Sequence, residues 1–433
     1  MRNIINRMNI KGGKVIASGG FGCIFKPSLK CKDGEQKPDN ISKLMSVKHA
    51  NDEYNQIQTF RHVLQHIPNY QNYFLVEGFS ICEPEKLTKD DLVKFNTKCK
   101  TLKKRGVTSK NINKNLDKLA SINMPYGGID ITKYMEIYQD GKHIIHLNNS
   151  LINLLVEGII PMNKLNCYHG DIKDGNILVN VENGIMNGRL IDWGLAFKHK
   201  YSKNSIPAKL YRRPFQFNVP FSIIIFNKEF NKQYKYFLHI NPNPLFFQIR
   251  EFVMNYISIW NDIRGTGHFN AINSINDKLV VNDLPSVETT IKNNLIEYDV
   301  TYYYIIEYIS KVLEKYTIDN IFMMDDYFNN IFLKQIDVWG FIMVYISLYE
   351  ELYLKYNDLT EYQRKFMEQI KYIIIHFLYE NPINEININE LVMELQKIND
   401  ICQHFDTDTN IPSLKRDYLR YLKTITKKRT KKT

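Results

Sequence analysis

The sequence predicts an α+β chain with a small strand-rich N-terminal part and a larger helical C-terminal part carrying a long helical insertion. Three observations point there. The 433 residues suffice for two lobes and a sizeable core. Short β-branched runs punctuated by Gly and Asn-Gly recur up to Asp192. Longer apolar stretches such as "VTYYYIIEYISKVLEKY" and "QIDVWGFIMVYISLYEEL" then read as helices. The expected division is 1–126 for the first lobe, with a basic insert at about 85–118. The second lobe is 127–433, with an insertion at about 218–330 and a basic tail at 423–433.

The elements follow in chain order. "VIASGGFGCIF", Val15 to Phe25, reads as strand, glycine turn, strand, and "NISKLM" as a further strand holding Lys43. From Val47 to Ile67, Tyr54, Ile57, Phe60, Val63 and Leu64 recur at helical steps and give one apolar face. "YFLVEGFSIC", Tyr73 to Cys82, and "SINMPYGGIDI", Ser121 to Ile131, read as strands. The basic insert between them is expected to be a solvated loop or helical hairpin, or else a docking surface for an acidic partner. "SLINLLVEGIIPMNKLNCY" reads as a buried helix interrupted at Pro161.

Composition narrows the function classes. Hydrophobic residues make up 44% and charged residues 24%, which suits a soluble globular chain. The net charge of +11 suggests an anionic partner without choosing one. The six cysteines show no CxxC spacing, so neither a zinc site nor a disulfide scaffold is expected, and a reducing compartment fits. "MRNIINRMNI" is too polar for a signal peptide, and runs such as "SIIIF" are too short to span a bilayer.

The chemistry is concentrated in "NCYHGDIKDGNILVN" and "RLIDWGLAF". Between "ILVN" and "RLI" lie Asn183-Gly184 and Asn187-Gly188, the strongest short hairpin signal. A hairpin brings its open ends together, so Asn176 before the first strand meets Asp192 after the second. An amide oxygen and a carboxylate side by side suit Mg2+ and leave room for phosphate oxygens. Asp171, in the loop entering the hairpin, can accept a proton from an incoming hydroxyl. Lys173 adds positive charge where a transferring phosphoryl group develops negative charge. The plain alternative is a surface hairpin with solvated polar turns.

With "HGDIKDGN" and "DWG" in this order, the chain resembles the eukaryotic-type serine/threonine protein kinase superfamily. The resemblance implies a bilobal kinase-like fold and an ATP- and Mg2+-dependent transfer to protein hydroxyls. Asp171 would be the catalytic base, Lys173 the phosphate-contacting lysine, and Asn176 and Asp192 the metal ligands. It makes the segment Ile16, Ala17, Ser18, Gly19, Gly20, Phe21, Gly22, Cys23 and Ile24 the phosphate cradle, with Ala17 where the family has its first glycine. Lys43 would bind the α/β-phosphates, with Glu53 as its partner and Asp52 as a rival. Met124 and Tyr126 would face the adenine, Pro125 having no N–H to offer. Asp337 would hold the catalytic-loop backbone, and Trp339 would be core.

The departures carry further expectations. Gly170 stands where many kinases carry an arginine that pairs with a phosphate, so independence from phosphorylation is expected, with Ser202 and Ser205 dispensable. Lys198 to Arg213 carries only basic charges, which favours an acidic protein substrate. "RRPFQFNVPFSIIIF" replaces the usual A-P-E segment. Together these features resemble the kinases of nucleo-cytoplasmic large DNA viruses, which implies an intracellular site in the host cytoplasm and packaging in virions. The rival readings are a catalytically weak pseudokinase scaffold and a small-molecule kinase. A membrane or nucleic-acid partner is not expected.

Overall fold

The computed structural model describes residues 13–33, 39–182, 184–201, 206–280, 288–355 and 358–405. Ser202, Ser205 and the basic tail lie outside them. The architecture is α+β, with small antiparallel sheets beside many helices. The chain divides into two compact units. The first comprises Met1–Ile131, Asn153–Arg213 and Ile336–Phe341; the second comprises Thr132–Ile152, Pro214–Gln335 and Ile342–Thr433.

The first unit is organised around a five-stranded antiparallel sheet. Its strands are β1 (Lys14–Ser18), β2 (Gly22–Lys26), β3 (Asn40–Ser46), β4 (Ser80–Cys82) and β5 (Leu119–Pro125), in the order β1-β2-β3-β5-β4. Strand β3 is buried on both faces, with Leu44 in one core cluster and Met45 in another. Helix α1 (Val47–Leu64) follows directly and buries Ala50, Ile57, Phe60 and Leu64 along one face.

Four sequence expectations need correction here. Tyr73 to Cys82 is not one strand: only β4 pairs, and Gly78 at φ +73° turns the chain before it. Phe74 instead bridges Leu190, in parallel.

The basic insert is helical, one of the forms expected of it, but it is packed rather than solvated. Helices α2 (Phe95–Lys98) and α3 (Lys100–Lys104) and the 3-10 turn Ile112–Lys114 pack Phe95, Leu102 and Ile112 into the same core as Val15, Phe25 and Leu44. Its lysines point outward while its apolar residues cover the sheet, so the charge run hid a structural layer.

Four of the six cysteines pair, as Cys23–Cys99 and Cys31–Cys82, with Cα–Cα distances of 5.4 Å and 5.8 Å. Local spacing gave no sign of this because the partners are 76 and 51 residues apart.

Pro161 does not break its helix. The turn Leu154–Ile159 widens to a π-helix, and Pro161 sits within the first residues of the α-helical turn that follows. Moreover, Gly141–Lys164 and Met324–Tyr353 are long and apolar enough to cross a bilayer, although no short apolar run suggests it. The apolar window of the second is 94% buried within the protein, as core helices are.

The hairpin forms within the first unit. Strand β6 (Ile129–Asp130) pairs with β8 (Ile177–Glu182), which pairs with β9 (Ile185–Leu190); between them in the chain, β7 (Cys167–Tyr168) pairs with β10 (Phe197–Lys198). Gly184, at φ +79°, lies between the paired ends Glu182 and Ile185, while Gly188 lies inside β9 opposite Val179.

Among its described residues the second unit forms helices and one short ribbon, Thr317–Ile318 with Ile321–Phe322. The segment expected to replace A-P-E, 212–226, ends in a 3-10 helix, Phe221–Phe226, with every residue of that helix buried. Helices Lys228–Ile240, Phe246–Arg264, Gly267–Val280 and Tyr303–Tyr316 build most of the insertion.

Candidate functional site

The loop that carries Asp171 is shaped by left-handed residues and anchored by a buried carboxylate. Asn166 and Gly170 have φ of 57° and 69°. The Asp337 side chain accepts from the backbone N–H of His169 at 2.9 Å, from that of Gly170 at 2.7 Å, and from Asn163 Nδ2 at 2.7 Å. Three donors on one buried carboxylate fix the loop backbone. His169 is fully enclosed. Its Nε2 donates to the Ile191 carbonyl at 2.9 Å, and its Nδ1 accepts from the Asp171 N–H at 3.3 Å. One donor and one acceptor define a neutral imidazole, and burial lowers its pKa below the ordinary value. Thus His169 ties the loop to the strand that leads into Asp192.

Asp171 itself is buried and surrounded by donors. Lys173 Nζ lies 2.9 Å from Oδ2, Asn176 Nδ2 lies 3.1 Å from the same oxygen, and an Arg213 guanidinium nitrogen lies 3.1 Å from Oδ1. Asn176 Nδ2 also donates to the Asp171 carbonyl at 2.8 Å. This commits the amide nitrogen to the loop and leaves Oδ1 as the group for a cation.

The hairpin register brings Asn176 and Asp192 to one end. Ile177 pairs with Leu190, and the Ile191 N–H donates to the Asn176 carbonyl at 3.0 Å. Asp192 adopts φ 64°, and its carboxylate takes a long bond of 3.4 Å from the Gly194 N–H. These two side chains offer hard oxygens, the donor type that Mg2+ prefers. Among the described residues there is no cluster of three or more His, Cys, Asp or Glu that could hold a metal unaided. Any magnesium here would therefore need phosphate and water oxygens to complete its shell.

Trp193 fixes the triplet from the other side. Its buried ring stacks on Phe60 at 5.4 Å and meets Phe74 and His169 edge-on at 5.8 Å and 5.0 Å. Gln56 of α1 donates to the Trp193 carbonyl at 2.5 Å and to that of Ala196 at 3.3 Å.

In the sheet, Lys43 sits opposite Ile24 and Ile122, and its Nζ bonds both Glu53 carboxylate oxygens at 2.7 Å. Glu53, not Asp52, is the partner. The β1–β2 turn spans Gly19, Gly20 and Phe21, closed by the Gly19 N–H to the Gly22 carbonyl at 2.9 Å. A Cβ on Gly22 would lie 2.4 Å from the Leu44 carbonyl, so packing demands glycine there; one on Gly20 would meet nothing within 4 Å. Ile16 is the extra residue of a bulge between Val15 and Ala17, and it is exposed, as is Phe21. Ser18 and Cys23 close the strand pair, and Ile24 continues it.

Met124 and Tyr126 are half-buried at the end of β5, with the Lys26 ammonium 3.1 Å above the Tyr126 ring. Sequence reasoning missed the brace on the glycine turn: Thr101 of α3 donates to the Gly19 carbonyl at 2.6 Å. It also missed Gln56 and Arg213. Only Arg213 left a trace, as the last cation of a basic run facing a loop that lacks its own arginine. No family model matches this chain, and no curated protein matches it.

Proposed function

We propose that this chain is an ATP-dependent serine/threonine protein kinase with a bilobal kinase-like fold. The observation that carries the reading is the convergence of Asp171, Lys173, Asn176 and Asp192 at one hairpin. That hairpin shares a compact unit with the Lys43–Glu53 pair and the glycine turn. Fixed cations beside carboxylate and amide oxygens suit phosphoryl transfer, which needs positioning and charge neutralisation.

On this reading the glycine turn and Lys43 hold the phosphates, with Glu53 aiming the ammonium. The adenine lies against the backbone at Met124 and Tyr126. Asn176 and Asp192 would hold Mg2+, which would supply charge neutralisation at the phosphates. Asp171 orients the acceptor hydroxyl and takes its proton as the oxygen bonds to the γ-phosphorus and the β–γ bridge breaks, releasing ADP. Lys173 screens the charge on the transferred group. The basic residues of 198–213 favour an acidic protein substrate.

The test is transfer of labelled γ-phosphate from Mg-ATP to casein and to the protein itself, beside Asp171→Ala and Asp192→Ala. Label on Ser or Thr that both substitutions abolish supports the reading. No transfer despite intact nucleotide binding would replace it with a scaffold role.

A further inference from the structure

Gly170 leaves the loop without an arginine of its own at that position, yet a guanidinium from elsewhere in the chain reaches it. We propose that Arg213 is the positioning residue that couples the segment after Asp192 to Asp171, as a built-in substitute for a phosphate-dependent tether. The inference rests on the kinase reading and adds to it a residue and a mode of control.

The geometry is specific. The Arg213 guanidinium is buried and forks across the loop. One terminal nitrogen donates to the Gly170 carbonyl, and the other reaches Asp171 Oδ1 at 3.1 Å. The fork therefore holds the backbone and the carboxylate of neighbouring residues at once, which a point-charge lysine cannot do.

Gly170 is shaped to receive it. Its φ of +69° disfavours a side chain, and a Cβ there would stand 3.3 Å from the Leu195 carbonyl, 3.3 Å from Phe197 and 3.5 Å from the guanidinium. An arginine at this position would compete for the space that Arg213 occupies. The missing loop arginine and the buried Arg213 are thus one arrangement, with the cation supplied from the far end of the segment.

A second basic residue ties the same segment at its other neighbour. Lys209 Nζ donates to the Ala196 carbonyl at 2.8 Å and to the Gly194 carbonyl at 3.2 Å, beside the metal-binding triplet. One stretch of chain thereby touches both the triplet and the base through its own cations.

The experiment compares steady-state transfer from Mg-ATP to casein by the full chain, by Arg213→Ala and by Arg213→Lys, each with nucleotide binding followed by thermal shift. We expect kcat to fall about 10–100-fold in Arg213→Ala with the KM for ATP little changed, because the base is displaced and the nucleotide site is not. Added guanidinium ion should restore part of that kcat, whereas Asp171→Ala should not respond to it. If Arg213→Ala does not fold, Arg213→Lys carries the test: it keeps the charge but loses the fork, and its kcat should still drop. Phosphatase treatment of the unsubstituted chain should leave its kcat unchanged.

Unaltered kcat in the folded Arg213 variants, or activity lost on phosphatase treatment, overturns the inference while the kinase reading stands. Absence of transfer by the unsubstituted chain overturns both.

Discussion

Each compact unit buries a polar network, and the two are built from opposite chemistry. In the first unit, beside a neutral set of Ser42, Ser121 and Asn123, a charged one is buried: Asp171, Arg213 and Asp337 converge on the loop around His169. In the second the buried groups are neutral tyrosine hydroxyls. Tyr308 donates to Gln335 at 2.9 Å, Tyr345 to Asn148 at 2.7 Å and Tyr379 to Asn276 at 3.0 Å, while Tyr327 shares a bond with Ser222 at 2.7 Å.

A tyrosine brings a large apolar ring and needs one partner for its tip. A buried charge costs several kcal/mol to desolvate and must be met on every side. The second unit thus holds itself together with groups that phenylalanine could nearly replace. The first accepts the cost of ions where positioned charge is what a reaction would require.

Substitutions can break or sharpen that contrast. Asp192 has a chemical role in the proposed reaction but little structural support, since it takes a single long bond from Gly194. Asp192→Asn should cut phosphotransfer by about 10²–10³-fold with little change in the unfolding midpoint. A stability loss as large as the activity loss would place it in the structural set.

Asp337 is the reverse case. Asp337→Ala strands three donors, two of them backbone N–H groups of the loop that carries Asp171, and should cost several kcal/mol in urea unfolding, as breaking a buried charged network does.

Both disulfides lie in the first unit. Reduction should destabilise it by roughly 2–5 kcal/mol per bridge. Because Cys23 lies in β2 beside the glycine turn, reduction should also raise the KM for ATP. Hydrogen exchange should show the second unit unaffected, and equal loosening of both would erase the distinction.

Smaller effects belong to the neutral network. Tyr345→Phe removes one hydroxyl and should cost about 1 kcal/mol with transfer rates intact. A several-fold larger loss would show that the hydroxyls specify the helical unit rather than merely satisfy it.

The pH responses should also separate. His169 is buried neutral with its pKa below the ordinary 6.5, so the unfolded chain takes up the proton first. Its contribution to stability is full above about pH 6.5 and declines as the pH falls below it. For Tyr234 burial raises the pKa from 10.0 to about 12, so the unfolded chain ionises first and stability declines as the pH rises past 10. Denaturant midpoints followed across pH should show both limbs, with His169→Gln flattening the acid one. An acid limb unchanged by that substitution would remove His169 as its source.

Sequence patterns read well wherever the information is local. Asn-Gly between β-branched runs specifies a hairpin, and from the hairpin alone the meeting of Asn176 and Asp192 follows. The glycine turn and the apolar face of α1 are legible in the same way, because φ/ψ preference and helical period act over a few residues. Where locality fails, so does the reading. "YFLVEGFSIC" has strand composition, but Gly78 and the pull of Phe74 toward Leu190 divide it.

What only the tertiary structure decided are the meetings between distant residues. Arg213 finds Asp171 across 42 positions, Asp337 finds His169 across 168, and Cys23 finds Cys99 across 76. No local propensity encodes those partners. They are selected by which apolar faces must be buried together, and the buried charges and thiols then pair with whatever the packing brings within reach.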